Sequence, residues 1–312
     1  MAVYTHISAE DMAELIDRYN VGTLISAKGI AEGVQNSNYL IDTTKGRFVL
    51  TVYEHMVDSA DLPFFLALLN HLAEKGCPVP QSMRDNDGET LVQWNGKLLA
   101  LIEFLPGLSV TSPTPAQAAA VGKALGQMHL AVADFPLSRP NALGLENWEA
   151  MAARCGDSLD QITPGLKVRV EQECLHMLNH WPADLPQSII HADLFPDNVL
   201  MRGDDVGGMI DFYFACTEAR AFDLAVTHMA WSFSSDGRTY SAAVGDALIA
   251  GYESSLIRSA AEKAAFPVLA RGACLRFLLT RAWDWLNTPA DALVNKHDPL
   301  AMVRRLDHYA QL

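Results

Sequence analysis

The segment from residue 188 to residue 212 constrains this chain more than any other, because short apolar runs alternate there with polar residues at close spacing. Ser188–Ile190 and Val199–Met201 have the composition of short buried strands. Val206–Ile210 is a further apolar run, and it follows Gly203-Asp-Asp205, which is typical of a turn. The pattern predicts a strand, then a polar loop, then a β-hairpin.

Three polar side chains of this segment suit the binding of a hard cation and the transfer of a proton. Asp193 lies in the loop, Asn198 at the entry of the hairpin and Asp211 at its exit. Because a hairpin brings its ends together, Asn198 and Asp211 are expected to converge. Their oxygens are ligands that Mg²⁺ prefers, and Asp193 can accept a hydroxyl proton. We predict all three as catalytic and the last two as metal ligands. The competing interpretation is a turn capped by His191 and Asn198, with Asp211 as a surface carboxylate.

The stretch His191-Ala-Asp193-Leu-Phe-Pro-Asp-Asn198 fits the pattern H-x-D-x-x-x-x-N of kinase catalytic loops. Asp211 ends an apolar run, as the Asp of D-F-G does in protein kinases. Phosphoryl transfer needs a positioned acceptor hydroxyl and charge neutralisation rather than covalent help. Because three fixed residues can also occur at this spacing by chance, the prediction depends on the agreement between the motif and the predicted hairpin. The segment predicts ATP and Mg²⁺ as the cofactors.

Composition limits the classes of protein that this chain can represent. Its 312 residues suggest about two domains, and 50% of them are hydrophobic, which is enough for sizeable cores. The formal net charge of -14 argues against nucleic acid or an anionic membrane as a partner. The five cysteines are widely spaced and form no C-x-x-C pair, so reduced thiols in a cytoplasmic protein are expected. We expect no signal peptide and no membrane span. A small molecule is the expected partner, and the oligomeric state stays open.

Ahead of this segment, the periodicity predicts a small sheet with few helices. A helix is expected after Ser8, and a hairpin around Asn95-Gly96, a strong turn signal. The remaining expected elements, in order, are strands within 24–41 and 47–53, a helix at 61–74, strands at 91–94 and 97–103, and a helix at 116–133. Beyond residue 133 nearly everything outside 188–212 has helical periodicity. The fold class is therefore α+β, with an N-lobe at 1–104 and a mostly helical C-lobe at 105–312.

A glycine-containing loop between the first two strands is the candidate phosphate site. Glycines let backbone N–H groups approach phosphates closely. A glycine in a hairpin usually only makes the turn, so this interpretation depends on the kinase motif downstream. The predicted nucleotide contacts are Gly29, Gly33, Val34, Asn36 and Ser37 in the loop, Thr51 on the third strand, and the backbone of Glu103, Phe104 and Leu105 at a hinge. An apolar slot for adenine is expected from Val34, Val49, Leu50 and Ile210.

Several motifs together resemble the aminoglycoside phosphotransferase and choline kinase-like superfamily over essentially the whole chain. They are Gly33-x-x-Asn36-x-x-Tyr39, Gly76-Cys-Pro-Val-Pro80, the catalytic loop and Asp223-Leu-Ala225. The resemblance implies a bilobal fold shared with protein kinases, and ATP-dependent phosphotransfer to a small molecule. It also implies that Asp223 is mainly structural.

Three longer segments are similar to type II homoserine kinases, namely 29–39, 48–54 and 191–198. This similarity implies phosphorylation of the side-chain hydroxyl of L-homoserine, on the route to threonine. The alternatives are another small-alcohol kinase of the same fold, acting on choline, an aminoglycoside, methylthioribose or a ketosamine, or a non-catalytic kinase-like binding module.

One departure from the protein-kinase pattern concerns the third strand. Protein kinases place a lysine there that pairs with the α/β-phosphates and with a helix glutamate. Thr51 occupies that position, and the following helix has no glutamate within its body. Lys28 or Lys45 could substitute, or loop amides and Mg²⁺ could suffice. The homoserine kinases that this chain resembles also lack that lysine.

The sequence identifies the residues of the acceptor site less specifically than those of the catalytic loop. Homoserine carries a carboxylate, which arginine matches bidentately, and an ammonium, which acids match. The candidates are Tyr213, Glu218, Arg220, Trp231, Arg276 and Arg281, with Asp284, Trp283 and Trp285 nearby. For each, a structural salt bridge or core role competes with ligand contact. His129 is interpreted as a hydrogen-bonded core histidine rather than a catalyst.

Overall fold

The computed structural model describes residues 5–30, 36–54, 58–289 and 296–312. They divide into two compact units. The first comprises Met1–Pro106 and Gly208–Tyr213, and the second comprises Gly107–Gly207 and Phe214–Leu312. This division lies two residues after the predicted 104/105 boundary. It also assigns the segment that carries Asp211 to the first unit.

The first unit is a five-stranded antiparallel sheet with two helices. Its strand order is β1-β2-β3-β5-β4. The elements are α1 (Ala9–Asp17), β1 (Leu24–Gly29), β2 (Ser37–Thr43), β3 (Gly46–Val52), α2 (Leu62–Glu74), β4 (Val92–Trp94) and β5 (Lys97–Glu103). The strands and helices predicted before residue 104 are thereby confirmed.

Local sequence explains where these elements begin and turn. The hydroxyl of Ser8 accepts a hydrogen bond from the N–H of Asp11 at 3.1 Å and caps α1, as the spacing predicts. Asn95 and Gly96 have φ values of 47° and 77°, the left-handed conformations of a type I′ turn. The predicted hairpin between β4 and β5 is confirmed.

The two faces of the sheet differ in what covers them. α1 packs on one face, where the apolar side chains of Tyr39, Ile41, Leu50 and Val52 meet those of the helix. Because side chains alternate along a strand, Val49 and Thr51 point to the opposite face. That face, here called the Thr51 face, bears Lys28, Leu40, Val49, Thr51 and Ile102, paired across the strands.

The second unit is mostly helical. Its helices are α3 (Pro115–Ala131), α4 (Leu145–Cys155), α5 (Leu159–Ile162), α6 (Leu166–His180), α7 (Arg220–Trp231), α8 (Ala242–Ser255), α9 (Ala260–Asn287) and α10 (Leu300–Tyr309). Two small ribbons accompany them, formed by β6 (Gln187–Ile190) with β9 (Cys216–Ala219) and by β7 (Val199–Arg202) with β8 (Asp205–Met209). None of the helices in the described ranges is long and apolar enough to cross a membrane.

Strand β9 was not predicted, since helix was expected after residue 212. Cys216–Ala219 instead pairs antiparallel with β6, from Cys216 opposite Ile190 to Ala219 opposite Gln187. The four residues Cys-Thr-Glu-Ala carry no alternating pattern of their own. Strand formation here depends on the partner strand, which single-sequence periodicity does not report.

Helices α3 and α8 cross unusually closely. A Cβ atom at Gly122 or at Gly251 would lie 2.0 Å from a carbonyl oxygen of the other helix, so only glycine permits the contact. The close crossing brings His129 on α3 to Tyr252 on α8, with 2.9 Å between the ring Nδ1 and the hydroxyl. His129 in turn contacts Asp223, which bonds to the backbone of the predicted catalytic loop.

Candidate functional site

The predicted catalytic loop begins in a strained backbone conformation. Ala192 has a φ of 65°, a left-handed value that costs a non-glycine residue about 1–3 kcal/mol. Two consecutive N–H groups stabilise it, because His191 and Ala192 each donate to the carboxylate of Asp223 at 2.8 Å. Arg276 donates from the other side to the carbonyl of Ala192. The loop is thus held by backbone contacts on both sides of the strained residue.

Asp223 is fully buried on α7 and forms the centre of a polar chain. Its carboxylate also accepts from Nε2 of His129 at 3.0 Å, and Nδ1 of His129 faces the hydroxyl of Tyr252. Burial by itself would raise the pKa of Asp223, but the hydrogen bond and charge of His129, with His191, hold that pKa below its ordinary value. Asp223 is therefore ionised at neutral pH. His129 is the hydrogen-bonded core histidine that the sequence predicts.

Asp193 and Asn198 lie together at the two ends of this loop. The side-chain amide of Asn198 donates to the backbone carbonyl of Asp193 at 2.8 Å and to its carboxylate at 3.0 Å. These bonds orient the Asp193 carboxylate. They also use the amide nitrogen of Asn198 and leave its amide oxygen as a ligand for a cation. The carboxylate that Asn198 orients is the one that the sequence predicts to accept a proton.

Asp211 follows β8 and belongs to the first unit. It is exposed and has a left-handed φ of 66°. Two residues later, the ring of Tyr213 packs edge-on against Tyr53 and Phe65 at centroid distances of 5.9 and 5.6 Å. Burial raises the pKa of Tyr213 well above its ordinary value, so the phenol is neutral. Tyr213 is a packing residue of the first unit.

The two predicted metal ligands are an amide and a carboxylate side chain, Asn198 and Asp211. In the ranges that the structure describes, no three His, Cys, Asp or Glu side chains are grouped to hold a metal. Mg²⁺ commonly binds through one or two carboxylates together with substrate phosphates and water. Carboxylate and amide oxygens, the groups of the predicted ligands Asp211 and Asn198, are of the kind that Mg²⁺ binds.

The structure places the predicted nucleotide contacts of the glycine-containing loop as follows. Gly33 and Val34 lie outside the described residues. Gly29 ends β1, and the side chain of Asn36 accepts from the N–H of Glu54 at 3.3 Å. Ser37 is fully buried on the α1 side, where its hydroxyl donates to the carboxylate of Glu54 at 2.7 Å. Its position opposite Val52 turns it away from the Thr51 face.

Leu50 was predicted as a wall of the adenine slot, but the structure places it elsewhere. It is completely buried among the residues that pack on α1. Val49, its neighbour, is half-buried on the Thr51 face together with Leu40. The alternation of the strand explains why adjacent residues cannot line the same slot.

The position of the missing lysine is occupied by a hydrogen-bonded pair. The hydroxyl of Thr51 donates to the side-chain carbonyl of Asn38 at 2.9 Å. Lys28 lies on the same face, in the row that pairs Lys28 with Leu40 and Leu40 with Val49. Lys45 instead donates to the side chain of Asn20 at 2.7 Å. Of the two substitutes that the sequence offers, the sheet register favours Lys28.

At the predicted hinge, one of the backbone N–H groups that could bind a base is already hydrogen-bonded within the protein. The N–H of Glu103 donates to the carbonyl of Gln81 at 2.9 Å, so Glu103 can contact a base only through its carbonyl. The guanidinium of Arg47 lies 5.2 Å from the ring centroid of Phe104. Leu105 packs so closely on Gly208 that a Cβ there would be 2.6 Å from the leucine side chain.

Most of the acceptor candidates in the second unit are engaged within the protein. Glu218 accepts from the side chain of Asn141 at 3.2 Å. Arg220 forms a bidentate pair with buried Glu262 at 2.7 and 3.0 Å. Trp231 is buried and donates to the carbonyl of Leu194 at 2.9 Å, which anchors the catalytic loop. These contacts stabilise the unit.

Arg276 and Arg281 lie on α9 and have different surroundings. Arg276 is buried, and its guanidinium stacks 4.2 Å from the ring centroid of Phe277. Arg281 is half-buried, 5.5 Å from the ring centroid of Phe195 in the catalytic loop. Phe195 and Phe277 in turn pack edge to face at 4.7 Å. These two phenylalanines were not predicted as site residues, and only their proximity to the motif and the arginines could have indicated them.

Comparison with known proteins shows which family and which relatives this chain resembles. The model of the phosphotransferase enzyme family matches residues 26–262. The homoserine kinase of Allorhizobium ampelinum is 48% identical over 98% of this chain and 95% of its own length. The homoserine kinase of Zymomonas mobilis is 48% identical over 100% of this chain and 98% of its own length.

Solved structures resemble the fold at low sequence identity. A spectinomycin phosphotransferase in complex with ADP and spectinomycin has a TM-score of 0.71 and 13% identity, covering 99% of this chain and 100% of that one. The choline kinase of Cryptosporidium parvum has a TM-score of 0.69 and 15% identity, covering 97% and 95%. The predicted protein-kinase-like α+β fold is confirmed.

Replacing Asp223 by alanine is expected to destabilise the protein strongly, because the N–H groups of His191 and Ala192 and the ring of His129 lose their acceptor. Each unsatisfied buried donor costs about 1–3 kcal/mol, so a loss of roughly 3 kcal/mol or more in the free energy of unfolding is expected at pH 7. Urea denaturation measures it. The exposed ion-paired residue Asp157 provides the control, Asp157→Ala, for which we expect little change.

The contribution of Asp223 to stability should depend on pH in one direction. The folded-state pKa of Asp223 is depressed, so its contribution is present above the unfolded-state value of about 3.9 and is lost as the pH falls through the folded value. The difference between wild type and Asp223→Ala should therefore shrink below about pH 4. A loss at pH 7 no larger than that of Asp157→Ala would contradict the central role of Asp223.

Proposed function

The chain belongs to the phosphotransferase enzyme family, and from that premise we propose that it transfers the γ-phosphoryl group of ATP to the side-chain hydroxyl of L-homoserine. The product is O-phospho-L-homoserine, an intermediate of threonine biosynthesis. The observation that carries the proposal is the 47–48% identity to homoserine kinases over 98–100% of this chain. The hydrogen-bonded Asp193–Asn198 pair supports catalysis rather than mere binding.

The proposed reaction is a direct displacement. The acceptor hydroxyl gives its proton to the carboxylate of Asp193 while its oxygen bonds to the γ-phosphorus, and the bond from that phosphorus to the bridging oxygen of ADP breaks. The amide of Asn198 keeps the carboxylate of Asp193 in one orientation. Trp231 and Arg276 hold the backbone of the same loop. Positioning of this kind is the main contribution that a protein makes to phosphoryl transfer.

Magnesium is the proposed metal, with Asn198 and Asp211 as its protein ligands. The proposal rests on the motif and on the oxygen ligands that the two side chains present. When bound, Mg²⁺ neutralises the charge that develops on the phosphoryl oxygens. The five cysteines are all free, which supports the proposed cytoplasmic location.

A panel of acceptors tests the proposed function. Under saturating Mg·ATP, kcat/KM should be highest for L-homoserine among L-homoserine, L-serine, choline, methylthioribose and kanamycin. Choline lacks the carboxylate, and an unpaired polar site can reject such an analogue by ~10⁴-fold. Serine is one methylene shorter, and a displacement of about 1 Å can cost ~10²-fold. A preference for choline, methylthioribose or kanamycin would overturn the homoserine proposal while leaving phosphotransfer intact.

Asp193→Asn should lower kcat by ~10²–10⁴-fold, because the general base is lost. Mg·ATP affinity, measured by calorimetry, should stay close to wild type, since Asp193 is proposed to contact the acceptor and not the nucleotide. Asp197→Asn is the matched control, as it makes the same change four residues further along the same loop. Wild-type kcat in Asp193→Asn would remove the residue from its proposed role.

Lys28 is the proposed replacement for the missing lysine of the third strand, because it shares the Thr51 face. Lys28→Ala should raise KM for ATP by ~10–10²-fold, the range expected for a hydrogen bond to a charged group. Lys45→Ala removes the same charge from the same sheet, at a site bonded to Asn20, and should leave KM for ATP unchanged. Equal effects in the two variants would indicate that only the overall charge matters.

A further inference from the structure

Arg281 has an environment that differs from that of the other arginines. Among the arginines that are buried or half-buried in the described residues, it alone makes neither a hydrogen bond nor an ion pair. Arg276, five residues earlier on α9, donates to Ala192, and Arg271 is paired with Glu173 at 2.7 Å. None of the guanidinium nitrogens of Arg281 is among the fully buried unpartnered atoms of the described residues, so its five donors remain accessible to a ligand.

The position of Arg281 connects it to the reacting end of the loop. Its guanidinium lies 5.5 Å from the ring centroid of Phe195, two residues after Asp193 in the chain. Burial, with the charge of Arg305, lowers the pKa of Arg281 to about 10, although Asp193 and Asp197 act in the opposite direction. The side chain is therefore still a cation at neutral pH. The acids nearby influence it through space without bonding to it.

These observations identify the chemistry of the missing partner. The ligand group must be an anion, must accept from a planar fork of N–H donors, and must lie near a hydroxyl that reaches Asp193. A carboxylate meets these conditions, since it accepts two parallel N–H bonds from arginine. The other acceptor candidates of the second unit already have partners: Arg220 pairs with Glu262, and Trp231 and Arg276 donate to backbone carbonyls.

We propose that Arg281 binds the α-carboxylate of the amino-acid acceptor and thereby restricts the enzyme to hydroxy amino acids. This inference rests on the proposed function and adds the residue that determines specificity within it. The carboxylate compensates a charge that the free protein leaves partly buried and unpaired, so binding energy is gained only by acceptors that carry that group. Arg281 contacts substrate but takes no part in proton transfer.

The test compares two acceptors that differ only in the carboxylate, L-homoserine and 3-aminopropan-1-ol. Wild type should prefer L-homoserine by at least ~10²-fold in kcat/KM. Arg281→Gln should lower kcat/KM for L-homoserine by ~10–10²-fold, mainly through KM, because a charged hydrogen-bonded pair is lost. Its rate with 3-aminopropan-1-ol should stay near that of wild type, so the preference collapses. A purely structural role would lower both rates together.

Two further variants keep the test decisive. Arg154→Gln removes an exposed arginine that also stacks on an aromatic ring, 4.2 Å from the centroid of Trp283, and should leave both rates unchanged. Arg281→Lys retains the charge without the fork, so its preference should lie between those of wild type and Arg281→Gln. If Arg281→Gln does not fold, the ratio measured for Arg281→Lys decides the question, and an unchanged ratio overturns the proposal.

Thermal denaturation gives a readout that does not depend on turnover. Without acceptor, Arg281→Gln should be at least as stable as wild type, because an uncompensated, half-buried charge is removed. L-homoserine should raise the Tm of wild type and of Arg154→Gln but not that of Arg281→Gln. If wild type phosphorylates L-homoserine and Arg281→Gln lowers both acceptor rates equally, the Arg281 proposal fails and the proposed function stands. If wild type does not phosphorylate L-homoserine, the proposed function itself fails.

Discussion

The carboxylate of Asp223 accepts hydrogen bonds from two consecutive backbone N–H groups, and through them it keeps Ala192 in a left-handed conformation. The direction of the chain after His191 follows from that conformation, and so does the position of Asp193. The carboxylate can remain ionised in a dry interior because His129 and the two N–H groups compensate it. The close crossing of α3 and α8 brings Tyr252 to the far side of His129. Local strain in the loop is thus maintained by packing some distance from the reacting atoms.

Helix α9 stabilises the catalytic loop and also presents a charge to it. Arg276 donates to the carbonyl of Ala192 and stacks on Phe277. Arg281 lies against Phe195 without an acceptor among the described residues. The two arginines are identical in chemistry, and their roles differ because one has its partner inside the fold. In the proposal, the carboxylate of the acceptor supplies the partner that the described residues do not give Arg281.

Much of the fold was predictable because its signals are local. The type I′ turn at Asn95-Gly96, the cap at Ser8 and the spacing from His191 to Asn198 each follow from a few neighbouring residues. Strand β9 was missed because its four residues form a strand only by pairing with β6. The acceptor candidates could not be separated by sequence for the same reason. Whether an arginine is paired depends on Glu262 or Ala192, residues distant in the chain.

The third strand lacks the lysine that protein kinases carry there, but another lysine, Lys28, lies on the same face of the sheet. Thr51 and Asn38 bond to each other across β2 and β3, so the usual position is closed by a neutral pair. The register places Lys28 on the same face, one row further along, opposite Leu40. A lysine side chain extends roughly as far as two residues of strand, about 6–7 Å. Strand β2 separates the edge strand β1 from β3, so Lys28 also lies about 10 Å to the side of Thr51. A cation at Lys28 is therefore placed at the edge of the Thr51 face rather than at the position of Thr51 itself.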